Sequence, residues 1–146
     1  MNIGFFNNKS IFITGHTGFK GAWLCHMLKR AGARVAGYAL EPVSGGVFEA
    51  ADVHDGMNSV IGDIRDLEAL KEAFERAAPE IVFHMAAQPI VLESYVRPAY
   101  TFDTNVMGTV NLLECVRESK TVRSVVIVTT DKVYKNNEWV DRKSVV

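Results

Sequence analysis

The chain has 146 residues and a mass of 16.2 kDa, enough for one compact domain and too little for two ordinary ones. Hydrophobic residues make up 48% and charged residues 23%, a globular mixture that excludes disorder, collagen and coiled coil. Lys and Arg total 16 against 17 Asp and Glu, for a net charge of -1, and no block of like charges stands out, so neither nucleic acid nor a membrane surface is an expected partner.

The first eight residues lack a basic segment followed by an apolar stretch, and no run approaches the roughly 18 apolar residues of a membrane span. A cytoplasmic location is the expectation. Cys25 and Cys115 lie far apart in apolar, helix-like surroundings with no CxxC spacing, which predicts reduced core thiols rather than a disulfide or a zinc site. His26 and His54 have no ligand-spaced Cys or carboxylate cluster, so no metal is expected.

Short β-branched runs alternate with longer helix-period segments, the pattern of strand-helix units around a parallel sheet, with no linker and no internal repeat. The predicted strands are residues 10–14, 34–39, 58–61, 80–84 and 124–129, each apolar on both faces as in a buried parallel sheet. Residues 18–31 place Phe19, Trp23, Leu24, Met27, Leu28 and Ala31 at helical spacing. Residues 66–77 place Leu67, Leu70 and Phe74 behind a capping Asp66. Pro98 suits the first turn of a third helix over 99–118, with Phe102, Val106, Leu113 and Val116 on approximately one face. Such a helix is about 30 Å long at about 1.5 Å per residue.

The most informative segment is Ile11-Phe12-Ile13-Thr14-Gly15-His16-Thr17-Gly18-Phe19-Lys20-Gly21, a strand running into a glycine-spaced turn and then a helix. Gly15 permits a tight turn, Gly18 lets backbone approach a pyrophosphate, and Gly21 lets the helix pack closely on the strand, while the helix N-terminus offers unpaired N–H groups to phosphates. An isolated glycine pattern also fits an ordinary strand-to-helix turn; the flanking strand and helix favour a dinucleotide.

Through this turn, written Thr-Gly-x-x-Gly-Phe-x-Gly, the chain resembles the extended short-chain dehydrogenases/reductases that act on nucleotide sugars. Three further stretches carry the resemblance in order: Gly62-Asp63-Ile64-Arg65-Asp66, His84-Met85-Ala86-Ala87-Gln88, and Thr104-Asn105-Val106-Met107-Gly108-Thr109. The resemblance implies an α/β doubly wound parallel sheet, the Rossmann fold, over residues 1–146, with NAD as cofactor. It places Asp63 toward the adenine amino group, Ile64 against the ring, and Ala86, Ala87 and Gln88 along the nicotinamide ribose. Asn105 is implied to hold a structural, proton-relaying water, and Thr129 to join the cofactor set. In a doubly wound sheet the loops after the first and fourth strands meet at the switch point, so a cofactor is expected across Gly18 and Ala87. The helix over 99–118 resembles one of two that form a four-helix dimer interface.

Within the family the chain is most similar to the 4,6-dehydratases, and among them to the branch acting on CDP-glucose, through Thr130-Asp131-Lys132 followed by Glu138-Trp139. Related sugar dehydratases carry Asp-Glu where Asp131-Lys132 stands. The resemblance assigns Thr130 to the sugar 4-hydroxyl, Asp131 to protonating the departing 6-hydroxyl, and Lys132 to the C5 proton. On residue type alone, Asp131 and Lys132 read as a solvated pair in a loop after a strand.

The sequence departs from the family in three ways. Ala39 stands where many relatives carry an Asp for the ribose hydroxyls, with Glu41 two residues on; His16 and Lys20 replace small and apolar residues of the turn, as phosphate ligands or as bulk. The family's Tyr-x-x-x-Lys pair, which deprotonates the C4 hydroxyl, does not occur: four residues after Tyr38, Tyr95, Tyr100 and Tyr134 stand Pro42, Ala99, Thr104 and Glu138. Residues 141–146 do not resemble the family's continuation either. The sequence thus reads as an N-terminal part without the sixth strand, the Tyr-Lys helix and the sugar-nucleotide region. It leaves three readings: part of a dehydratase inactive alone, a non-catalytic dinucleotide-binding module, or a remnant of a truncated gene.

Overall fold

Residues 3–130 are described by the structure, a computed structural model. Five strands form one parallel sheet: β1 (Ser10–Thr14), β2 (Arg34–Ala39), β3 (Asn58–Ile61), β4 (Ile81–His84) and β5 (Ser124–Ile127). Their spatial order is β3-β2-β1-β4-β5, so the chain steps one way from β1 to β3 and then returns to the other side of β1. The ends of β1 and β4 therefore flank a switch point, and Thr14 pairs in register with both Tyr38 and His84.

Helices cover the two faces. On one, α1 (Phe19–Arg30) and the short α2 (Val47–Ala50) close a core of Ile11, Ile13, Cys25, Leu28, Phe48 and Val53. On the other, α3 (Leu67–Ala77) packs beside a long helical stretch over Phe12, Tyr38, Leu70, Phe74, Leu112 and Cys115. Both cysteines are free and buried, and burial pushes the thiols of Cys25 and Cys115 up to about 12 and about 11. Asp66 caps α3 by accepting from the Ala69 N–H at 3.1 Å.

The third predicted helix is present but not uniform. α4 (Val91–Val96) precedes it; α5 (Pro98–Phe102), a π turn (Asp103–Met107) and α6 (Gly108–Glu118) then run on without leaving helical dihedrals. Gly108 lies where the helix meets the loop after β3, and a Cβ there would sit 2.6 Å from Ile64 Cγ2.

Two expectations need correction. β3 and β5 are not buried on both faces: Asn58, Ile61, Ser124, Val126 and Ile127 are exposed, because these strands form the two borders of the described sheet. In α1 three of the large apolar residues do not face the core. Phe19, Trp23 and Met27 are 69%, 49% and 53% exposed, while Gly21, Ala22, Cys25 and Leu28 are buried. The cause is the close approach of α1 to the turn after β1, where a Cβ on Gly21 would strike the Gly15 carbonyl. Among the described residues no helix is long and apolar enough to cross a membrane.

Candidate functional site

The loops that meet at the switch point open onto a cleft of about 580 Å³ at the C-terminal edge of the sheet. Its floor is the glycine turn. Gly15 sits at φ +73°, and a Cβ there would lie 2.8 Å from the Ala86 backbone nitrogen, so the turn and the loop after β4 touch backbone to backbone. α1 begins at Gly18 without a side-chain cap, which leaves its first-turn N–H groups for an occupant of the cleft. Thr17 ties the turn sideways, its hydroxyl donating to the Leu40 carbonyl at 2.9 Å.

The wall beside β2 and β3 is made by Tyr38, Ala39, Leu40 and Val43 together with residues 62–64. Tyr38 is 1% exposed and donates its hydroxyl to the Asp63 carbonyl at 3.1 Å. Burial pushes its phenol up to about 12, and the nearby Asp66 and Asp63 charges add to that. Asp63 is gripped by Arg65, whose Nη2 lies 2.6 Å from Oδ2, and this hydrogen bonding holds the carboxyl below its ordinary value. Arg65 and Arg97 both lie over the Tyr100 ring, 4.9 and 4.3 Å from its centroid. Asn111, buried on α6, donates to the carbonyls of Ile64 and Arg65, each at 3.1 Å.

The opposite wall is residues 85–87 with Pro89, Val128 and Thr129. The predicted positions therefore divide. Gly15, Thr17, Gly18, Phe19, Lys20, Gly21, Asp63, Ile64, Ala86, Ala87 and Thr129 line the cleft; His16, Gln88 and Asn105 do not. Thr130 follows Thr129 at the exposed rim, while Asp131 and Lys132 lie outside the described residues.

The His16 imidazole is turned away from the phosphate turn. It is fully buried, with Nε2 2.7 Å from the Ser59 hydroxyl and the ring edge-on to Phe48 at 5.2 Å. Burial drives its pKa down to about 4 against a smaller opposing pull from the Tyr38 backbone, so the ring is neutral and serves the core, not a phosphate. Asn105 is tied to the loop after β4: Oδ1 accepts from the Gln88 N–H at 2.7 Å and Nδ2 donates to the Gln88 carbonyl at 3.1 Å. Both halves of its amide are occupied by the backbone of the loop after β4.

Sequence reasoning missed Thr104. This residue is 8% exposed and lines the cleft, and its buried hydroxyl has no hydrogen-bond partner among the described residues. An unpaired buried hydroxyl is costly unless a ligand completes it. The only signal in the sequence was its place directly before Asn105. No cluster of three or more His, Cys, Asp or Glu able to hold a metal occurs among the described residues.

A dinucleotide fits these groups: uncapped N–H donors behind a turn that excludes a Cβ, an aromatic and apolar wall beside Asp63, and an orphan hydroxyl. NAD is the cofactor to expect. Comparison with known proteins agrees. The chain is 53% identical over 137 residues, 93% of its length, to a CDP-glucose 4,6-dehydratase of Salmonella typhimurium, of which it spans 38%. It is 34% identical over 109 residues, 75% of its length, to a GDP-mannose 4,6-dehydratase of Sordaria araneosa, of which it spans 20%. The fold superposes with a TM-score of 0.79 and 26% identity on a UDP-glucose-4-epimerase from Stenotrophomonas maltophila with bound NAD and formylated UDP-arabinopyranose, covering 91% of this chain and 40% of that one. The chain thus spans well under half the length of these relatives. Residues 11–145 match the family described as NAD dependent epimerase/dehydratase, and the chain belongs to that family.

Proposed function

We propose that the chain is the NAD-binding N-terminal part of a CDP-glucose 4,6-dehydratase, acting in the cytoplasm to supply a 4-keto-6-deoxy sugar for deoxysugar and lipopolysaccharide synthesis. The observation that carries this reading is the cleft, where the glycine turn, residues 62–64 and residues 85–87 converge at the switch point. The 53% identity to the Salmonella enzyme supports the choice of reaction and of substrate, CDP-glucose.

In this reading the first-turn N–H groups of α1 and Lys20 hold the pyrophosphate, and Asp63 with Ile64 receives the adenine. Ala86, Ala87 and Thr129 border the nicotinamide ribose. Bound NAD⁺ supplies reversible hydride acceptance, from C4 of the sugar and back to C6. Thr130 donates to the 4-hydroxyl, Asp131 protonates the 6-hydroxyl as water departs, and Lys132 stands by the C5 proton. NAD⁺ rather than NADP⁺ is supported by the wall at the end of β2, which is lined by Tyr38, Ala39, Leu40 and Val43 and offers no cation to a 2′-phosphate. A homodimer through residues 99–118 belongs to the same reading, supported by the exposed apolar side chains of Phe102, Val106, Val110 and Leu113.

The second reading, binding without turnover, is favoured by a specific feature: these 146 residues contain no Tyr-x-x-x-Lys to deprotonate the C4 hydroxyl. Calorimetric titration of the purified chain with NAD⁺, followed by incubation with CDP-glucose, tests both. Saturable binding with no sugar consumed is the expected result. Absence of heat and of a thermal shift with NAD⁺ overturns the binding, and conversion of CDP-glucose overturns the inactivity.

A further inference from the structure

The loop that forms one wall of the cleft is held at both ends, and one buried histidine joins the two holds. At its start, the N–H groups of Met85 and Ala86 donate to Thr14 Oγ1 at 3.1 and 3.2 Å. At its end, the Gln88 N–H and carbonyl are both bound by the Asn105 amide. Between Thr14 and the helix carrying Asn105 lies His84, 3% exposed, with Nδ1 2.6 Å from Thr14 Oγ1 and Nε2 2.9 Å from Thr109 Oγ1. Thr109 in turn donates to the Asn105 carbonyl at 2.7 Å.

Counting donors fixes the direction of this chain. A hydroxyl has one proton and two lone pairs. Thr14 Oγ1 accepts from both loop N–H groups, sharing that of Met85 with its own carbonyl at 3.2 Å, while Thr109 commits its one proton to the Asn105 carbonyl; Thr109 can therefore only accept from His84 Nε2, and Thr14 donates to Nδ1. Nδ1 is then an acceptor, and the ring carries its proton on Nε2, which donates to Thr109. Thr109 donates its own proton to the Asn105 backbone carbonyl, and the Asn105 side chain binds Gln88. The order runs from Met85 and Ala86 through the buried Thr14 and His84 and the half-buried Thr109 to the backbone of the residue that clamps Gln88.

We propose that His84 is a positioning residue: as the neutral Nε2–H tautomer it couples Thr14 to Thr109 and Asn105, and this coupling sets residues 85–88 at the spacing from the glycine turn that a dinucleotide needs. The inference rests on the dinucleotide-binding reading of the cleft. His84 touches no ligand in it; the ring acts through Ala86 and Ala87, which line the cleft. Burial lowers its pKa, in keeping with a neutral ring.

The sheet order supplies the test. The ends of β2 and β3 make the Asp63 side of the cleft, and the loop after β4 makes the other. A ligand confined to the Asp63 side, such as AMP, is indifferent to the loop, whereas NAD⁺ spans both. Thr109→Val keeps the volume and removes the acceptor of the His84 Nε2–H; Thr109→Ser keeps the hydroxyl. In the 146-residue chain without ligand, Thr109→Val is expected to speed hydrogen exchange at the Met85, Ala86 and Gln88 amides roughly tenfold. Phe12 and Val82 amides should stay as in the parent. NAD⁺ affinity should fall by about tenfold, with AMP affinity within about twofold, and Thr109→Ser should restore both. Unchanged loop exchange, equal acceleration at Phe12 and Val82, equal loss of AMP and NAD⁺, or a Ser variant that behaves like Val overturns the proposal. A parent chain that does not bind NAD⁺ defeats the dinucleotide reading instead, and the exchange measurement still decides the role of His84.

Discussion

Gly15 concentrates two demands in one residue: its φ of +73° is open to glycine, and the loop after β4 leaves no room for a Cβ. The two can be separated by a control, since Gly56 sits at φ +71° with nothing within 4 Å of its Cβ position. Gly56→Ala should lose only the backbone strain, about 1 kcal/mol, and bind NAD⁺ as the parent does. Gly15→Ala should lose clearly more stability in urea unfolding and weaken NAD⁺ binding at least tenfold, because the atoms that would have to move are the Ala86 nitrogen and the Met85 carbonyl group. Equal effects of the two substitutions would mean that the turn and the loop are not in contact. The glycine spacing was legible because it is a backbone requirement written directly in residue type. The direction of the adjacent His16 was not: a ring that can reach a phosphate and one that folds beneath Gly37 to meet Ser59 have the same sequence signature.

At the level of elements, periodicity located the strands and helices, since hydrophobic spacing is what each element needs to bury a face. It did not tell which face of α1 was buried, because tight packing through Gly21 and Ala22 takes small residues inward and leaves Phe19 and Trp23 outside. It also gave no sign of the π turn, which needs no particular residue to form and whose consequence is positional. There the helix presents Thr104 to the cleft and Asn105 to Gln88, and about two turns later Asn111 reaches the loop after β3. The helix thus braces both walls. Asn111→Leu, similar in volume, removes the donor from two carbonyls at the Asp63 side and should cost roughly 1–3 kcal/mol in urea unfolding. NAD⁺ affinity should fall with it; a variant as stable as the parent would show that those carbonyls are satisfied in another way.

Across the whole molecule the two buried histidines lie on different contacts of one sheet, His16 against Ser59 and Phe48 and His84 between Thr14 and Thr109. The cationic form of His84 has no place, since a second proton would face the Thr14 hydroxyl, which already accepts two N–H donors, and burial of His16 outweighs the pull of the Tyr38 backbone toward its charged form. Burial lowers both pKa values, that of His16 from its ordinary 6.5 to about 4. The unfolded chain therefore binds more protons than the folded one below about pH 6.5, and by linkage stability rises with pH across that window. The contribution is complete above pH 6.5 and is lost progressively as pH falls toward and through about 4. For His16 alone the loss amounts to roughly 3 kcal/mol, at about 1.4 kcal/mol per pH unit. That is a large share of the roughly 5–15 kcal/mol by which a domain of this size is stable. Urea midpoints measured from pH 7.5 to 4.5 should therefore fall steeply below pH 6.5. The fall should be shallower in His16→Asn, which starts from a lower midpoint but carries one titrating group fewer. A midpoint that is flat from pH 6.5 to 4.5 would require these rings to accept a proton in place, and with it the neutral hydrogen-bond order around His84 would be lost.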